Sequence, residues 1–318
     1  MNEREPLPAP AVPGLGRDRH RTLREHLMQE MDGATAPVPR RTRRRLWWSL
    51  APTAVAAAAV AVALVAGAGA PDVPTTTEIG QVSDQAAAPL LQQFALVAEQ
   101  QPTGQVRDEQ YVYVKSLVSF SSFRFASDGT QTVTRDAPHE REIWVAVDGS
   151  RAGRLAGGNG PTTLDPNPTP DVGSPTYRFL ESLPTDPARL LAKIYADTKG
   201  QGNTPDQQAF TTIGDLLRES VAPPKVTAAL YRAAARIPGV VVVNDVVDAA
   251  GRHGVGVARL DETTGSRTEW IFDRDESTFL GEREVQVVKS PEGLKPGTLI
   301  GISAVLTRAI VDTTDTRG

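Results

Sequence analysis

Hydrophobic and polar positions along the chain alternate in three distinct rhythms. From Asp18 to Asp32 the run DRHRTLREHLMQEMD places Leu23, Leu27, Met28 and Met31 on one face of a 3.6-residue period, with Arg, Glu and Gln opposite. Asp18 can cap this helix and Gly33 ends it. A second rhythm is no rhythm at all: Leu46 to Ala70 is a stretch of 25 residues without a charge. The third begins after Gln85. A helical period over Gln85–Gln100 (Leu90, Leu91, Phe94, Leu96, Val97) is followed by two-residue alternation over Tyr111–Phe120 and Glu142–Val147. The region 149–176 is too rich in Gly, Pro and Asn for regular structure and reads as an exposed loop.

Three helices come next. One is capped by Asp186 with Pro187 at its first position, a second lies near Phe210–Val221, and a third begins at Pro224 and stops before Pro238-Gly239. Alternation then returns in Val240–Val247, Gly254–Leu260, Arg267–Phe272, Phe279–Val288 and Leu299–Val311, with Asp- and Gly-rich turns between them. Strands, then helices, then a strand meander is an α+β order, not a βαβ order.

The uncharged stretch changes the picture most. At 1.5 Å per residue, its first 21 residues reach about 31 Å, one hydrocarbon core. Trp47 and Trp48 stand at its boundary, and Arg40, Arg41, Arg43, Arg44 and Arg45 precede it. Residues 1–45 hold ten arginines against six acids, net +4; the remaining 24 cations face 32 acids, net −8, which together give the −4 of the whole chain. The expected arrangement is a short basic N-terminus in the cytoplasm and a large acidic domain outside. The competing reading is a cleaved secretory signal at Ala66-Gly67-Ala68 or Ala68-Gly69-Ala70. The long preceding region and Pro71 after the second site favour an uncleaved anchor. The organisation is then 1–17 disordered, 18–32 a cytoplasmic amphipathic helix, 33–45 a basic juxtamembrane linker, 46–70 a transmembrane helix, 71–84 an extended tether and 85–318 an extracytoplasmic α+β domain.

Candidate chemistry is sparse. The chain has no cysteine, which removes disulfides, thiolate metal sites, cysteine nucleophiles and a lipoprotein anchor. His20 and His26 are six apart and off a common helix face; His139 and His253 are single residues in charged or Gly-rich turns. Glu140 with Glu142, and Glu282 with Glu284, each bracket an arginine at i and i+2. They read as charged faces of edge strands more readily than as catalytic carboxylate pairs. Gly251, Gly254 and Gly256 lack the spacing and the following helix of a phosphate loop and read as a hairpin turn. No enzyme, cofactor or metal site emerges. The stripe Leu23, Leu27, Met28 and Met31 beside a basic run is either a passive tether touching anionic lipid or a docking face for a cytoplasmic regulatory protein. Nucleic-acid binding by the arginine run is disfavoured by its place against the bilayer.

The segment RDRHRTLREHLMQEMD, followed by an arginine cluster and one span, resembles an uncharacterised family of actinobacterial single-pass membrane proteins. The shared positions are Arg19, His20, Leu23, Arg24, Glu25, His26, Leu27, Met28 and Glu30, and the later patterns DEQYVYVKS, REIWVAVDG, FLESLPTDPARLLAKIY and TEWIFDRDESTFLGER are similar too. The resemblance implies a setting beside extracytoplasmic-function sigma factors, hence a cytoplasmic regulatory protein such as a sigma factor as partner. The chain departs from zinc-type anti-sigma domains in having no cysteine. The element order also resembles the open half-barrels of bacterial lipoprotein carriers, which implies a curved antiparallel sheet on helices and a lipid or lipoprotein ligand. In such a groove Trp144, Trp270, Phe272 and Phe279 would be lining, unless they are ordinary core.

Overall fold

The computed structural model of the protein describes residues 75–318 apart from 103, 126–130, 159 and 291–292. The amphipathic segment with Leu23, Leu27, Met28 and Met31 and the uncharged stretch Leu46–Ala70 lie outside the described residues. Among the described residues no helix is long and apolar enough to cross a membrane.

The fold is α+β. Its ten strands are β1 (Tyr111–Phe125), β2 (Gln131–Arg135), β3 (His139–Ala146), β4 (Gly153–Ala156), β5 (Thr162–Leu164), β6 (Val240–Val247), β7 (His253–Leu260), β8 (Ser266–Phe272), β9 (Phe279–Gln286) and β10 (Leu299–Val311). They form one sheet in the order β5-β4-β3-β1-β10-β9-β8-β7-β6, with antiparallel pairing throughout and β2 paired to the end of β1. The long β1–β10 pairing (Tyr111↔Val311 to Phe120↔Gly301) joins the strands that precede the helices to the meander that follows them.

Five helices accompany the sheet: α1 (Ala87–Glu99), α2 (Tyr177–Glu181), α3 (Pro187–Asp197), α4 (Pro205–Glu219) and α5 (Pro224–Ala234). Proline at the first position and a side-chain cap start α3 and α4, where Asp186 accepts from Arg189 N–H and Thr204 accepts from Gln207 N–H. The buried stripes of these helices (Leu91, Phe94, Leu190, Ile194, Phe210, Ile213, Leu230) meet one face of the sheet, with Val112, Val114, Val242, Val257, Trp270, Phe272 and Phe279, in a single core. Three differences from the sequence pattern are local. The loop 149–176 contains the short strands β4 and β5, and β2 and α2 were each hidden in five residues, too few to show a period.

The other face of the sheet carries two small clusters, Val243/Val246/Ala258/Ile271/Leu280 and Tyr113/Trp144/Val311. Residues 75–83, expected as a tether, are extended and docked there. Leu299 N–H donates to Thr75 O (2.9 Å) and Thr77 N–H to Gly297 O (2.8 Å) at the start of β10. At the far side Asn244 N–H donates to Gln81 O (2.9 Å) and Ser83 N–H to Val242 O (2.8 Å), covering part of the edge strand β6. In between, the strap crosses a buried ion triad. Glu269, fully buried, accepts from Arg267 (Nε 2.7 Å) and Arg283 (Nε 2.6 Å). Arg267 also donates to Gly80 O (2.8 Å) and Arg283 to Glu78 O (3.5 Å). A Cβ at Gly80 would stand 2.6 Å from Val243 Cγ1, so only glycine lets the strap lie this close.

Candidate functional site

A cleft of about 200 Å³ opens where the last turn of α4 leaves the centre of the sheet uncovered. Its lining includes Phe120 of β1, Arg218 of α4, Glu282 and Glu284 of β9, and Ile300, Gly301 and Ile302 of β10. Local structure explains the convergence. In α4 the apolar positions Phe210, Ile213, Leu216 and Leu217 bind the helix to the core, which leaves Asp215, Arg218 and Glu219 of the last turn beside the cleft. In β9 the pairings Trp270↔Glu282 and Thr268↔Glu284 put both carboxyls on the side of the sheet where Trp270 meets α4.

This corrects the expectation for Glu282 and Glu284. β9 lies between β8 and β10, so these residues are not the charged face of an edge strand. Glu140 and Glu142 are likewise on an interior strand, β3; they pair with Lys115 (2.8 Å) and with Arg317 (2.6 Å) and Tyr113 Oη (2.7 Å).

The cleft is a network of unequal charges. Arg218 donates to Asp215 (2.7 Å) and its Nε lies 3.5 Å from Glu219, which accepts from Arg141 of β3 (2.6 Å). Arg308 of β10 donates to Leu217 O at the end of α4 and covers the ring of Phe279 at 5.4 Å. Burial opposes ionisation of Glu219, but Arg141 and Arg218 hold its carboxyl below the usual range. Glu282 comes out the other way. Burial pushes it up to about 7; Arg218 pulls it down, while Asp215, Glu284 and Glu219 push it further up. Burial also raises Glu284, against a hydroxyl donation from Ser266 (2.6 Å). The carboxyl of Glu282 makes no hydrogen bond among the described residues, and neither does the fully buried indole N–H of Trp270. Both approach Gly214. A Cβ there would stand 2.5 Å from Trp270 Nε1 and 2.6 Å from Glu282 Oε2.

Chemically, the cleft sets the apolar Phe120, Ile300 and Ile302 beside charged Arg218, Glu282 and Glu284, and the Glu282 carboxyl, pushed up to about 7, has no hydrogen bond among the described residues. It suits a hydrogen-bond donor or cationic group entering from outside. Among the described residues no group of three or more His, Cys, Asp or Glu is placed to hold a metal.

The four aromatic residues proposed from sequence fall elsewhere. Trp270 stacks on Phe210 (3.9 Å, 3°), Phe272 stacks on Phe94 (4.4 Å), and Phe279 meets Phe272 edge-on (5.6 Å), so these three come together as core. Trp144 is on the opposite face against Tyr113 (4.9 Å), its indole N–H donating to Thr316 O (2.9 Å). None lines the cleft. His253 faces Asp245 (2.8 Å) on the surface and His139 faces Asp136 (3.4 Å). Gly251 sits at φ 79° in the β6–β7 hairpin turn. Phe120, Arg141, Arg218 and Arg308 were not singled out by the sequence. The alternation of β3 was a usable signal for Arg141, because Glu140 and Glu142 must face away from it.

No family model and no curated protein matches this chain. Solved structures similar to it include a complex of Pseudomonas aeruginosa MucA and MucB (14% identity, 70% of this chain and 56% of that one, TM-score 0.25). MucB in complex with MucA(peri) (13%, 70% and 55%, TM-score 0.22) and MucB by itself (13%, 71% and 59%, TM-score 0.24) are also similar. The likeness thus spans less than two thirds of those chains.

Proposed function

We propose that this chain is a non-enzymatic, single-pass membrane protein whose extracytoplasmic domain is a binding module accessory to sigma-factor or envelope-stress regulation. The observation that carries the binding role is the cleft under α4, where the Glu282 carboxyl, without a hydrogen bond among the described residues, stands with Arg218 and Glu284 beside the apolar Phe120, Ile300 and Ile302. An occupant that donates hydrogen bonds or brings positive charge there would relieve the desolvation that lifts this carboxyl. A partner-protein segment carrying lysine or arginine has that chemistry. The membrane anchor and the inward N-terminus rest on the uncharged stretch Leu46–Ala70 and its arginine flank. A lipid occupant has less support, because Arg218, Glu282 and Glu284 line a cleft of only about 200 Å³.

Two experiments test this reading. Because the chain has no cysteine, single A34C and T75C variants report topology directly. An impermeant maleimide should label T75C on intact cells and A34C only after permeabilisation. Separately, transcripts of the extracytoplasmic-function sigma regulon should change in the deletion strain and change in the same genes in E282A. An unaltered regulon in the deletion strain would sink the regulatory role; a response to deletion but not to E282A would remove the cleft from it.

A further inference from the structure

The segment that follows β10 fills a site on the face of the sheet turned away from the helical core. Alternation along β3 puts Glu142 and Trp144 on that face, and the pairings of Trp144 bring Tyr113 of β1 and Arg154 of β4 beside them. Tyr113 Oη donates to Glu142 (2.7 Å), and Arg154 stands over the Trp144 ring at 5.4 Å. Residues 315–317 lie across this group. Arg317 grips the Glu142 carboxylate with two bonds (Nε to Oε1 2.6 Å, Nη2 to Oε2 3.1 Å). Thr316 O accepts from the Trp144 indole N–H (2.9 Å), and Asp315 accepts from Arg154 (2.8 Å).

The two sides of this contact are built differently. Tyr113 and Trp144 are each 1% exposed, the Glu142 side chain is 12% exposed, and all three stand on paired strands. The segment laid on them keeps 61% of the Arg317 side chain and 86% of the Asp315 side chain in water. Among the described residues its one backbone–backbone hydrogen bond is internal, Thr316 N–H to Thr313 O (3.2 Å), so no ladder ties it to the sheet. Exposed ion pairs of this kind add at most about fivefold each to the closed arrangement. The site is rigid and its occupant is weakly held. Removing Arg317 would strand a mostly buried carboxylate on one hydroxyl donor, which favours a replacement cation in the same seat.

We propose that Tyr113, Glu142, Trp144 and Arg154 form a recognition site for an extended segment of a partner protein that carries an acidic residue and an arginine two positions apart, and that Asp315-Thr316-Arg317 holds this site as a displaceable internal occupant. The spacing is that of the occupant in place. The acid meets Arg154, the carbonyl of the middle residue meets the indole N–H, and the arginine meets Glu142 with a fork that lysine lacks. Opposite charges at the two ends select direction as well as residue type. A reversed segment would set its acid against Glu142 and its arginine against Arg154. The site lies on the other face of the sheet from the cleft under α4, and neither depends on the other.

The test uses the full chain in detergent and a fluorescein-labelled Thr-Asp-Thr-Arg peptide amide, the sequence of residues 314–317, read by anisotropy. The internal occupant competes with the probe, so D315A/R317A should bind it about 5- to 25-fold more tightly than the unaltered chain. E142Q in that background should abolish the gain, and a probe with lysine in place of arginine should bind about tenfold more weakly. A D315A/R317A chain that unfolds in urea like the unaltered one yet binds no probe, or binds it equally with E142Q, overturns the proposal. If D315A/R317A does not fold, R317K decides, because it keeps the charge without the fork. Tighter probe binding than in the unaltered chain supports the displaceable occupant, and equal binding overturns it. Self-association of the unaltered chain that the probe reverses would assign the site to a second copy and overturn a separate partner.

Discussion

The triad beneath the strap makes the sharpest prediction about stability. Glu269 is bonded to two guanidiniums that are themselves nearly out of water, with side-chain exposures of 7% for Arg267 and 4% for Arg283. In E269A both cations keep a carbonyl of the strap, Gly80 O and Glu78 O, but lose their counter-charge. Leaving a buried partner uncompensated destabilises by about 3–5 kcal/mol, and a domain this size loses about 2–4 °C per kcal/mol, hence about 6–20 °C. Replacing all three together (R267M/E269L/R283M) removes the charges along with their desolvation, and should cost little or stabilise by about 1–4 kcal/mol. Urea unfolding of the full chain in detergent, followed by fluorescence of the buried Trp144 and Trp270, measures both variants. A loss under about 1 kcal/mol in E269A would show that water reaches the guanidiniums and that the strap does not seal them. A companion readout is proteolysis, which should cut residues 75–83 faster in E269A, where the strap's anchors are no longer held in place.

Three further outcomes follow from individual side chains. Glu282 titrates near 7 in the fold but near 4.5 when unfolded, so the folded state binds the extra proton and stability falls as pH rises from about 4.5 to 7; E282Q should flatten that slope by up to about 1.4 kcal/mol per pH unit, seen in urea midpoints across the window. G214A should destabilise by about 1–3 kcal/mol in thermal unfolding, because its methyl would meet a Trp270 ring held rigidly against Phe210. D186A should lower stability by about 1 kcal/mol through loss of the bond to Arg189 N–H, and D186N, which retains an acceptor, should restore most of it.

Much of the secondary structure was legible because the signals were local. Val240–Val247 and Leu299–Val311 are strands with the bounds that alternation marks, and Asp186-Pro187 starts α3 where capping chemistry requires. The elements that escaped are those too short to show a period, namely β2, β4, β5 and α2. Site residues were harder for a different reason. Alternation says that Glu282 and Glu284 share a face, but not whether that face looks at helices or water, nor that β10 covers the flank of β9. That information lies in the β1–β10 pairing, between residues some 200 positions apart, and in the seat of α4 on the sheet. The docking of residues 75–83 was illegible on the same grounds, since the arginines that hold the strap come from β8 and β9 and its sequence shows no period of its own.

β9 ties these features together. Its successive residues Glu282, Arg283 and Glu284 all border the cleft, and the Arg283 guanidinium reaches to Glu269 and the strap, so one strand carries both the cleft's carboxyls and part of the cationic seat of the tether. Neither side can be rebuilt alone. Slipping β9 by one residue would put Arg283 under α4 beside Arg218 and turn two carboxyls toward the backbone carbonyls of Glu78 and Gly80, bringing like charges together on both faces. The register that aims Glu282 at the cleft is therefore the register that pins Thr75 near the start of β10.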